Sequence, residues 1–419
     1  MNKLSALAES MTGSEIVKLG NQINERIRNG ETIYNYTIGD FNPAIFPIPK
    51  KLQSLIIEAY NEHYTSYPPA EGLLSLRQSV SKFIEDGEGL HYDIDEIQIS
   101  CGGRPLIYTI FQTLVDAGDK VIYAVPSWNN NHYTNLNRGE NVLIQTTPEN
   151  NFMPTANDIA PHVSGATLLC LCTPQNPTGT TLDKEELDKI CALVLEENKK
   201  RSEGEKKLYL MFDQMYWTLT FGDTKHYNPV SLYPEMKAYT VFVDGISKAF
   251  AATGVRVGWA LGPKDVIAKM KAFLSHIGGW APMAEQHATA TFLEDKTAID
   301  VFLSHFKSEI EKRLHKVYSG MIALKEKGFA VNAVTPQAAI YLTVLFDLVN
   351  KKTEDGRTLA TQSDVTDYLL SEAKLAIVPF YAFGAEKSSP WYRLSVGTCR
   401  YEELNGMFQK LEAALSNLK

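Results

Sequence analysis

Residues 244–259, "DGISKAFAATGVRVGW", place Lys248 just behind the apolar run "YTVFV" and Arg256 eight residues further on. A lysine held in a pocket loses the solvation that favours its charged form, and the neutral amine becomes a nucleophile toward an aldehyde. Arg256, in a glycine-flanked turn, suits a phosphate through its planar fork. Other residues of useful type also stand behind apolar runs: Trp128 in "PSW" after "KVIYAV", Asn176 in "TPQNPTG" after "ATLLCLC", and Asp213 and Tyr216 in "DQMY" after "KLYLMF". Each has an ordinary use when taken alone. An aspartate behind a strand commonly caps a helix or a turn, Asn-Pro-Thr-Gly is a good turn, and a single Trp or Tyr most often packs in a core.

Together they describe one chemistry. A lysine for an aldehyde, an arginine for a phosphate, a carboxylate for a ring nitrogen and an aromatic for a ring face match pyridoxal 5′-phosphate. The carboxylate keeps the pyridine nitrogen protonated so that the ring accepts electrons. The glycines of "CGGRP" add a possible anion cradle, since Gly102, Gly103, Arg104 and Pro105 open a helix carrying Ile107, Ile110, Phe111 and Leu114. Pro105 suits the first helical position, where a missing N–H costs nothing.

The elements that must position these residues follow from hydrophobic spacing. Short apolar runs, "EIQIS", "KVIYAV", "NVLIQ", "ATLLCLC", "KLYLMF" and "YTVFV", alternate with helical stretches. That alternation predicts an α/β fold with a largely parallel sheet between helices, whose ligands bind beyond the carboxyl ends of the strands. "LLSLRQSVSKFI" predicts a helix stopped by "EDGEG". The stripe Leu303, Phe306, Ile310, Leu314, Val317, Met321 and Leu324 predicts a long helix joining two domains. Beyond it, "AAIYLTVLF", "KLAIVPF" and "YRLSVG" with helices at "QSDVTDYLLSEA" and the C-terminus predict a smaller α+β domain. The expected division is an N-terminal segment over 1–48 packing with the small domain, a large domain over 49–300, and the joining helix with the small domain over 301–419. The charge run "EENKKRSEGEKK" over 196–207 reads as solvated surface.

Composition narrows the classes. The chain has 419 residues with 41 basic against 49 acidic side chains, a net charge of −8 spread along its length. That balance argues against a nucleic-acid face or an anionic-membrane partner. Five cysteines without a Cys-x-x-Cys pair point to a reducing compartment and no metal site. "MNKLSALAESMTGSEIV" contains no uninterrupted apolar stretch, so a soluble cytoplasmic protein is expected.

With these motifs in this order, the sequence resembles the class I/II aminotransferases of fold type I, in the aspartate-aminotransferase-like branch. The resemblance runs from "SEIVKLGNQINERIRNGETIYNYTIGD" to "YRLSVGTCRYEEL". It implies pyridoxal phosphate as cofactor, Lys248 as its anchor and acid/base, and Asp213 at the pyridinium nitrogen. Tyr216 and Asn176 would bond the phenolic oxygen, and Trp128 would stack on the ring. Gly103, Arg104 and Arg256 would hold the phosphate, with Tyr67 of "YPPAEG" reaching over from a second subunit, which implies a homodimer with shared sites. Arg393 of "YRLSVG" would clamp the substrate α-carboxylate with help from the Gly39 backbone. The sequence departs from the family pattern at Gln214, which replaces a glutamate, and at Ala338 and Phe380, where glycine is frequent.

The resemblance implies amino-group transfer from an L-amino acid to a 2-keto acid. An arginine at position 104 would keep the charge with which part of the branch reads a distal carboxylate, so aspartate or glutamate is the expected donor; a phosphate-side or solvent-facing cation is the alternative role. A β-lyase or decarboxylase would use the same residue set. A cofactor-binding regulator would need a nucleic-acid module that the 40 residues before Asp40 do not supply. A nicotinamide dehydrogenase is disfavoured because no G-x-G-x-x-G follows any strand candidate.

Overall fold

The computed structural model describes residues 4–11, 13, 15–128 and 130–419. The chain divides into two compact units, one of residues 41–309 and 337–339, the other of the residues up to Asp40 together with 310–336 and 340–419.

The unit of residues 41–309 holds a seven-stranded sheet among the described residues. Its strands are β1 (Ile97–Ser100), β2 (Lys120–Val125), β3 (Glu140–Gln145), β4 (Ala166–Cys172), β5 (Tyr209–Asp213), β6 (Thr240–Gly245) and β7 (Gly258–Leu261). They run in the order β1-β7-β6-β5-β4-β2-β3. All neighbours are parallel except β7, which is antiparallel to both β6 and β1. The central runs are apolar throughout because both faces are covered. Alternate residues feed two cores: Leu168, Cys170 and Met211 pack with Ile107, Ile110 and Phe111, whereas Leu169, Leu171, Leu210 and Phe212 pack with Phe250, Trp259 and Phe292.

The other unit carries a four-stranded antiparallel sheet of β8 (Val331–Ala333), β9 (Tyr341–Phe346), β10 (Val378–Pro379) and β11 (Trp391–Ser395), in the order β10-β11-β9-β8. A two-residue parallel pairing joins Tyr34–Asn35 to Leu375–Ala376. The long helix spans Lys296–Glu326, beginning seven residues before its apolar stripe, and the boundary between the units falls within it, after Glu309. Among the described residues no helix is long and apolar enough to cross a membrane.

The helix expected to stop at "EDGEG" spans Leu74–Glu88 and ends there, where Gly89 with a φ of 67° supplies the left-handed cap. Three local expectations are corrected or completed. The helix after β1 begins at Gly103, so Pro105 is its third residue and not its first; its missing N–H is still one of the four that the first turn leaves unbonded. β7 was not among the predicted strands. The charge run is only partly solvated: Glu197 and Asn198 are buried, the Asn198 amide bonds Leu208 N–H and C=O, and Arg201 pairs with Glu197 while donating to the carbonyls of Val163 and Ala166.

Candidate functional site

The residues predicted for a cofactor cluster where β4 to β6 end, where β7 begins and where the helix Gly103–Leu114 begins. Asp213 closes β5 beside Cys172 of β4. Its Oδ1 accepts from Met215 N–H at 3.1 Å, and among the described residues no basic side chain pairs with it. Burial pushes its carboxyl up from the ordinary value of 3.8 to about 6. Tyr216 follows in the same turn and is buried. Lys248 sits in the single-turn helix Ile246–Ala249 that β6 runs into, with its Nζ 5.7 Å from the Phe41 ring and 5.9 Å from the Tyr216 ring. Asn176 is buried in the turn after β4, between two cis X-Pro bonds at Pro174 and Pro177.

Backbone crowding shapes the other wall. A Cβ on Gly245 would stand 2.7 Å from Gly258 Cα, and one on Gly258 would stand 2.8 Å from the Gly102 carbonyl carbon. Gly102 has a φ of 91°, and a Cβ there would overlap the Arg256 guanidinium, with Cζ 2.7 Å away. Arg256 itself has a φ of 64°, a left-handed conformation uncommon outside glycine. Its Nη1 donates to Thr253 C=O at 2.6 Å and its Nη2 to Cys101 C=O at 2.7 Å. A guanidinium has five N–H donors, so three are left for an anion beside the helix N-terminus at Gly102 and Gly103.

These features fit pyridoxal phosphate. A carboxyl without a cationic partner is matched by a pyridinium nitrogen, and a donor-rich cradle that one methyl group would fill is matched by a phosphate. Arg104 is exposed and lies over the Trp128 ring at 5.1 Å, without a hydrogen bond or ion pair among the described residues. Tyr67 is 85% exposed and meets the edge of Trp280 at 5.4 Å; the contacts that gather the other residues do not include it.

The two residues predicted for the substrate α-carboxylate meet within the other unit. Arg393, 2% exposed on β11, lies opposite Thr343 of β9 and Val378 of β10. Its guanidinium is 4.7 Å from the Tyr341 ring and 4.8 Å from the Phe383 ring, and Nη2 donates to Thr37 C=O at 2.7 Å. A Cβ on Gly39 would stand 2.8 Å from Tyr341 Oη and 3.4 Å from Arg393 Nη1.

Several contributors escaped the sequence reading. Gly102, expected only in an anion cradle at a helix start, also leaves the space that Arg256 occupies. Asp244 closes the same apolar run as Lys248 and could have been picked by the rule that picked Asp213. It is buried, accepts from Trp217 Nε1–H at 2.8 Å and from Gly245 N–H at 2.7 Å, and burial with the Glu88 charge nearby holds its carboxyl well above the usual range. Gln214, in place of the family glutamate, donates to the Glu88 carboxylate, so helix Leu74–Glu88 brings a carboxylate to the side chain that lost one. Ala338 is buried and its N–H donates to Gly179 C=O at 2.9 Å; Phe380 is buried in the other unit. Among the described residues no group of three or more His, Cys, Asp or Glu could hold a metal ion.

Known proteins carry the same sequence pattern and fold. Residues 35–411 match the family model for aminotransferase class I and II. The chain is 29% identical over 404 residues to an aspartate aminotransferase of Geobacillus stearothermophilus, covering 94% of this chain and 95% of that protein. Among solved structures, the aspartate aminotransferase from Rhizobium meliloti superposes with a TM-score of 0.91 at 25% identity, with both chains covered completely. The aspartate aminotransferase from Thermus thermophilus with maleate superposes with a TM-score of 0.85 at 27% identity, over 99% of this chain and all of that one.

Proposed function

Because the chain belongs to the class I and II aminotransferases and is itself an aminotransferase, we propose that it uses pyridoxal phosphate and takes its amino group preferentially from aspartate or glutamate. The observation that carries the cofactor assignment is Asp213, a buried carboxyl raised to about 6 with no basic partner, in the cluster that also holds Lys248. When bound, the cofactor supplies an aldehyde for the amine and a ring that accepts electrons from the α-carbon.

The chain's own residues do the rest. Asp213 holds the ring nitrogen protonated, Tyr216 and Asn176 bond its phenolic oxygen, and Trp128 covers a face. Gly103 and Arg104 backbone groups with Arg256 hold the phosphate, joined by Tyr67 of a second copy in a homodimer. Lys248 Nζ removes the proton from the substrate α-carbon, a position for which a neutral amine is needed. Arg393 binds the α-carboxylate, with the Gly39 backbone beside it, and so fixes which bond at the α-carbon can break.

Arg104 supplies the preference for acidic donors. It is an exposed cation with no hydrogen bond or ion pair among the described residues, and its guanidinium is oriented by Trp128. Maleate, named with the Thermus thermophilus relative, is a four-carbon dicarboxylate and fits the same expectation. The test is a half-reaction on cofactor-loaded protein, following the cofactor absorbance with L-aspartate, L-glutamate, L-phenylalanine and L-alanine in turn, without keto acid. The acidic pair should convert the cofactor fastest, and Arg104→Ala should slow that pair by about 10- to 100-fold while sparing the neutral donors. Equal losses on all four donors would remove the role given to Arg104. Ammonia release with no lasting amine form would point to lyase chemistry instead.

A further inference from the structure

The end of helix Leu74–Glu88 meets the turn that carries Asp213 and Tyr216 from the face of the sheet opposite Asp213. Successive residues of a strand point to opposite faces. Met211 of β5 packs with Ile107 and Phe111 on one face, whereas Leu210 and Phe212 pack on the other with Leu76, Val80 and Ile84 of that helix. Asp213 therefore belongs with Met211. Gln214 N–H donates to Val243 C=O at 3.0 Å, which carries the parallel ladder one residue further, so the Gln214 side chain continues the row of Leu210 and Phe212 toward the helix.

On that side Glu88 gathers the polar groups. Gln214 is fully buried, and its Nε2 donates to Glu88 Oε1. Asn228 Nδ2 donates to Glu88 Oε2 at 3.5 Å, His226 Nε2 lies 3.4 Å from the same oxygen, and Ser231 Oγ donates to the Glu88 C=O at 3.2 Å. The Glu88 side chain is 3% exposed, and among the described residues no lysine or arginine pairs with it. A buried carboxyl costs free energy unless its oxygens are bonded, so these contacts are what keep Glu88 inside. A second anchor lies one residue earlier in the helix. A Cβ on Gly87 would stand 2.5 Å from the Trp217 ring, whose Nε1 donates at 2.8 Å to Asp244 Oδ2 on β6, the strand that runs into the Lys248 helix.

Gln214 and Trp217 bracket the turn, which closes with Trp217 N–H donating to Gln214 C=O at 2.9 Å. Inside the bracket lie Tyr216 and the Met215 N–H that donates to Asp213 Oδ1. On the reading that Asp213 and Tyr216 serve the cofactor, we propose that Glu88 is a positioning residue for the reaction: through Gln214 it fixes the turn whose Met215 N–H orients the Asp213 carboxyl and whose Tyr216 stands beside Lys248. Glu88 itself touches neither cofactor nor substrate, and its effect reaches the site through backbone geometry. A glutamine suits position 214 because a second carboxyl there would set two like groups against each other in one buried contact.

The experiment exchanges the two partners. Gln214→Glu places carboxyl against carboxyl, and Gln214→Glu with Glu88→Gln restores one carboxyl and one amide with their places exchanged. Cofactor-loaded proteins are compared by steady-state kinetics with L-aspartate and 2-oxoglutarate and by the pH midpoint of the cofactor absorbance, with Asp213→Asn as the reference. Gln214→Glu should lower kcat by about 10- to 100-fold while KM changes by less than about threefold, and should move the midpoint in the direction that Asp213→Asn moves it. The exchanged pair should recover the wild-type midpoint and a kcat within about threefold of wild type. Should Gln214→Glu not fold, Glu88→Gln alone, of the same shape, should lower kcat by about threefold and move the midpoint the same way. Loaded variants with unchanged kcat and midpoint and only an altered melting temperature overturn the proposal and leave Asp213 its role. A midpoint that Asp213→Asn itself fails to move overturns the cofactor reading of Asp213, and the role of Glu88 with it.

Discussion

Arg256 and Arg393 are two guanidiniums assigned to two anions, and the protein fixes them by different physics. Arg256 is held by backbone: two carbonyls accept its N–H groups, its own φ is left-handed, and Gly102 must lack a side chain to make room. Arg393 is held among rings: it is almost fully buried, sits within 5 Å of both Tyr341 and Phe383, and donates to the Thr37 carbonyl. A backbone cradle is rigid and tolerates no added atom, which suits a group that stays bound through turnover. An aromatic clamp positions a charge through ring faces and not through a strained backbone, which suits a ligand that is exchanged at every cycle.

The sharpest way to break this comparison is to remove Arg393. With Arg393 in the proposed role, Arg393→Ala leaves the substrate carboxylate without its cation, a loss of about 3–5 kcal/mol, so kcat/KM for every amino-acid donor should fall by about two to four orders of magnitude. Cofactor affinity, measured by absorbance titration of the resolved protein, should be unchanged. Equal damage to cofactor binding would show that the two arginines do not serve separate anions.

Asp213 offers a pH test on the cofactor side. Its carboxyl sits at about 6 in the cofactor-free fold against 3.8 unfolded, so the folded state binds the proton more tightly. Its contribution to stability is therefore most favourable below pH 4, falls as pH rises from about 4 to 6, and becomes a penalty on the order of 3 kcal/mol above that. A pyridinium partner removes the cause, so the cofactor-loaded protein should lack this decline. Thermal melts of both forms between pH 4 and 7.5, compared with Asp213→Asn, check it; parallel curves for the two forms would deny Asp213 its cation.

Gly102→Ala probes the backbone cradle with one methyl group. The new Cβ meets Arg256 and must adopt a φ of 91°, so cofactor affinity should drop by about 10- to 100-fold, with the residual kcat of the loaded enzyme nearly intact. Retained affinity would mean that Arg256 can move without loss and that the cradle is not what holds the phosphate.

How much of this was legible in the sequence depends on whether the determinant is local. The parallel strands announced themselves as apolar runs, and the rule that ligands gather at strand ends picked Lys248, Asp213, Asn176 and Trp128 before any coordinates. β7 was missed because "VRVGWAL" interrupts its apolar run with Arg256 and Gly258, and Gly258 is needed for the close approach to Gly245 and Gly102, a long-range fact. The helix through Gly87 outlasts its poor local propensity because Trp217 packs on the space a side chain would take. The run over 196–207 was misjudged for a similar reason: Asn198 is satisfied by Leu208 and Arg201 by carbonyls near residue 165, partners that composition does not show. Tyr341 and Phe383 were invisible as partners of Arg393, since neither antiparallel register nor the fold of a loop can be read from residue types.

The smallest effect is expected where the clamp has two sides. Phe383→Leu removes one ring and keeps the apolar volume, leaving Tyr341 on Arg393. A cation over a desolvated ring contributes about 0.5–2 kcal/mol, so KM for the amino acid should rise by about 2- to 30-fold with kcat and cofactor affinity little changed. Tyr341→Leu should do the same and also vacate the space where the hydroxyl faces Gly39. If one variant alone is nearly neutral and the double is far worse than the sum, the rings substitute for each other, and the clamp is redundant in a way the backbone cradle at Gly102 cannot be.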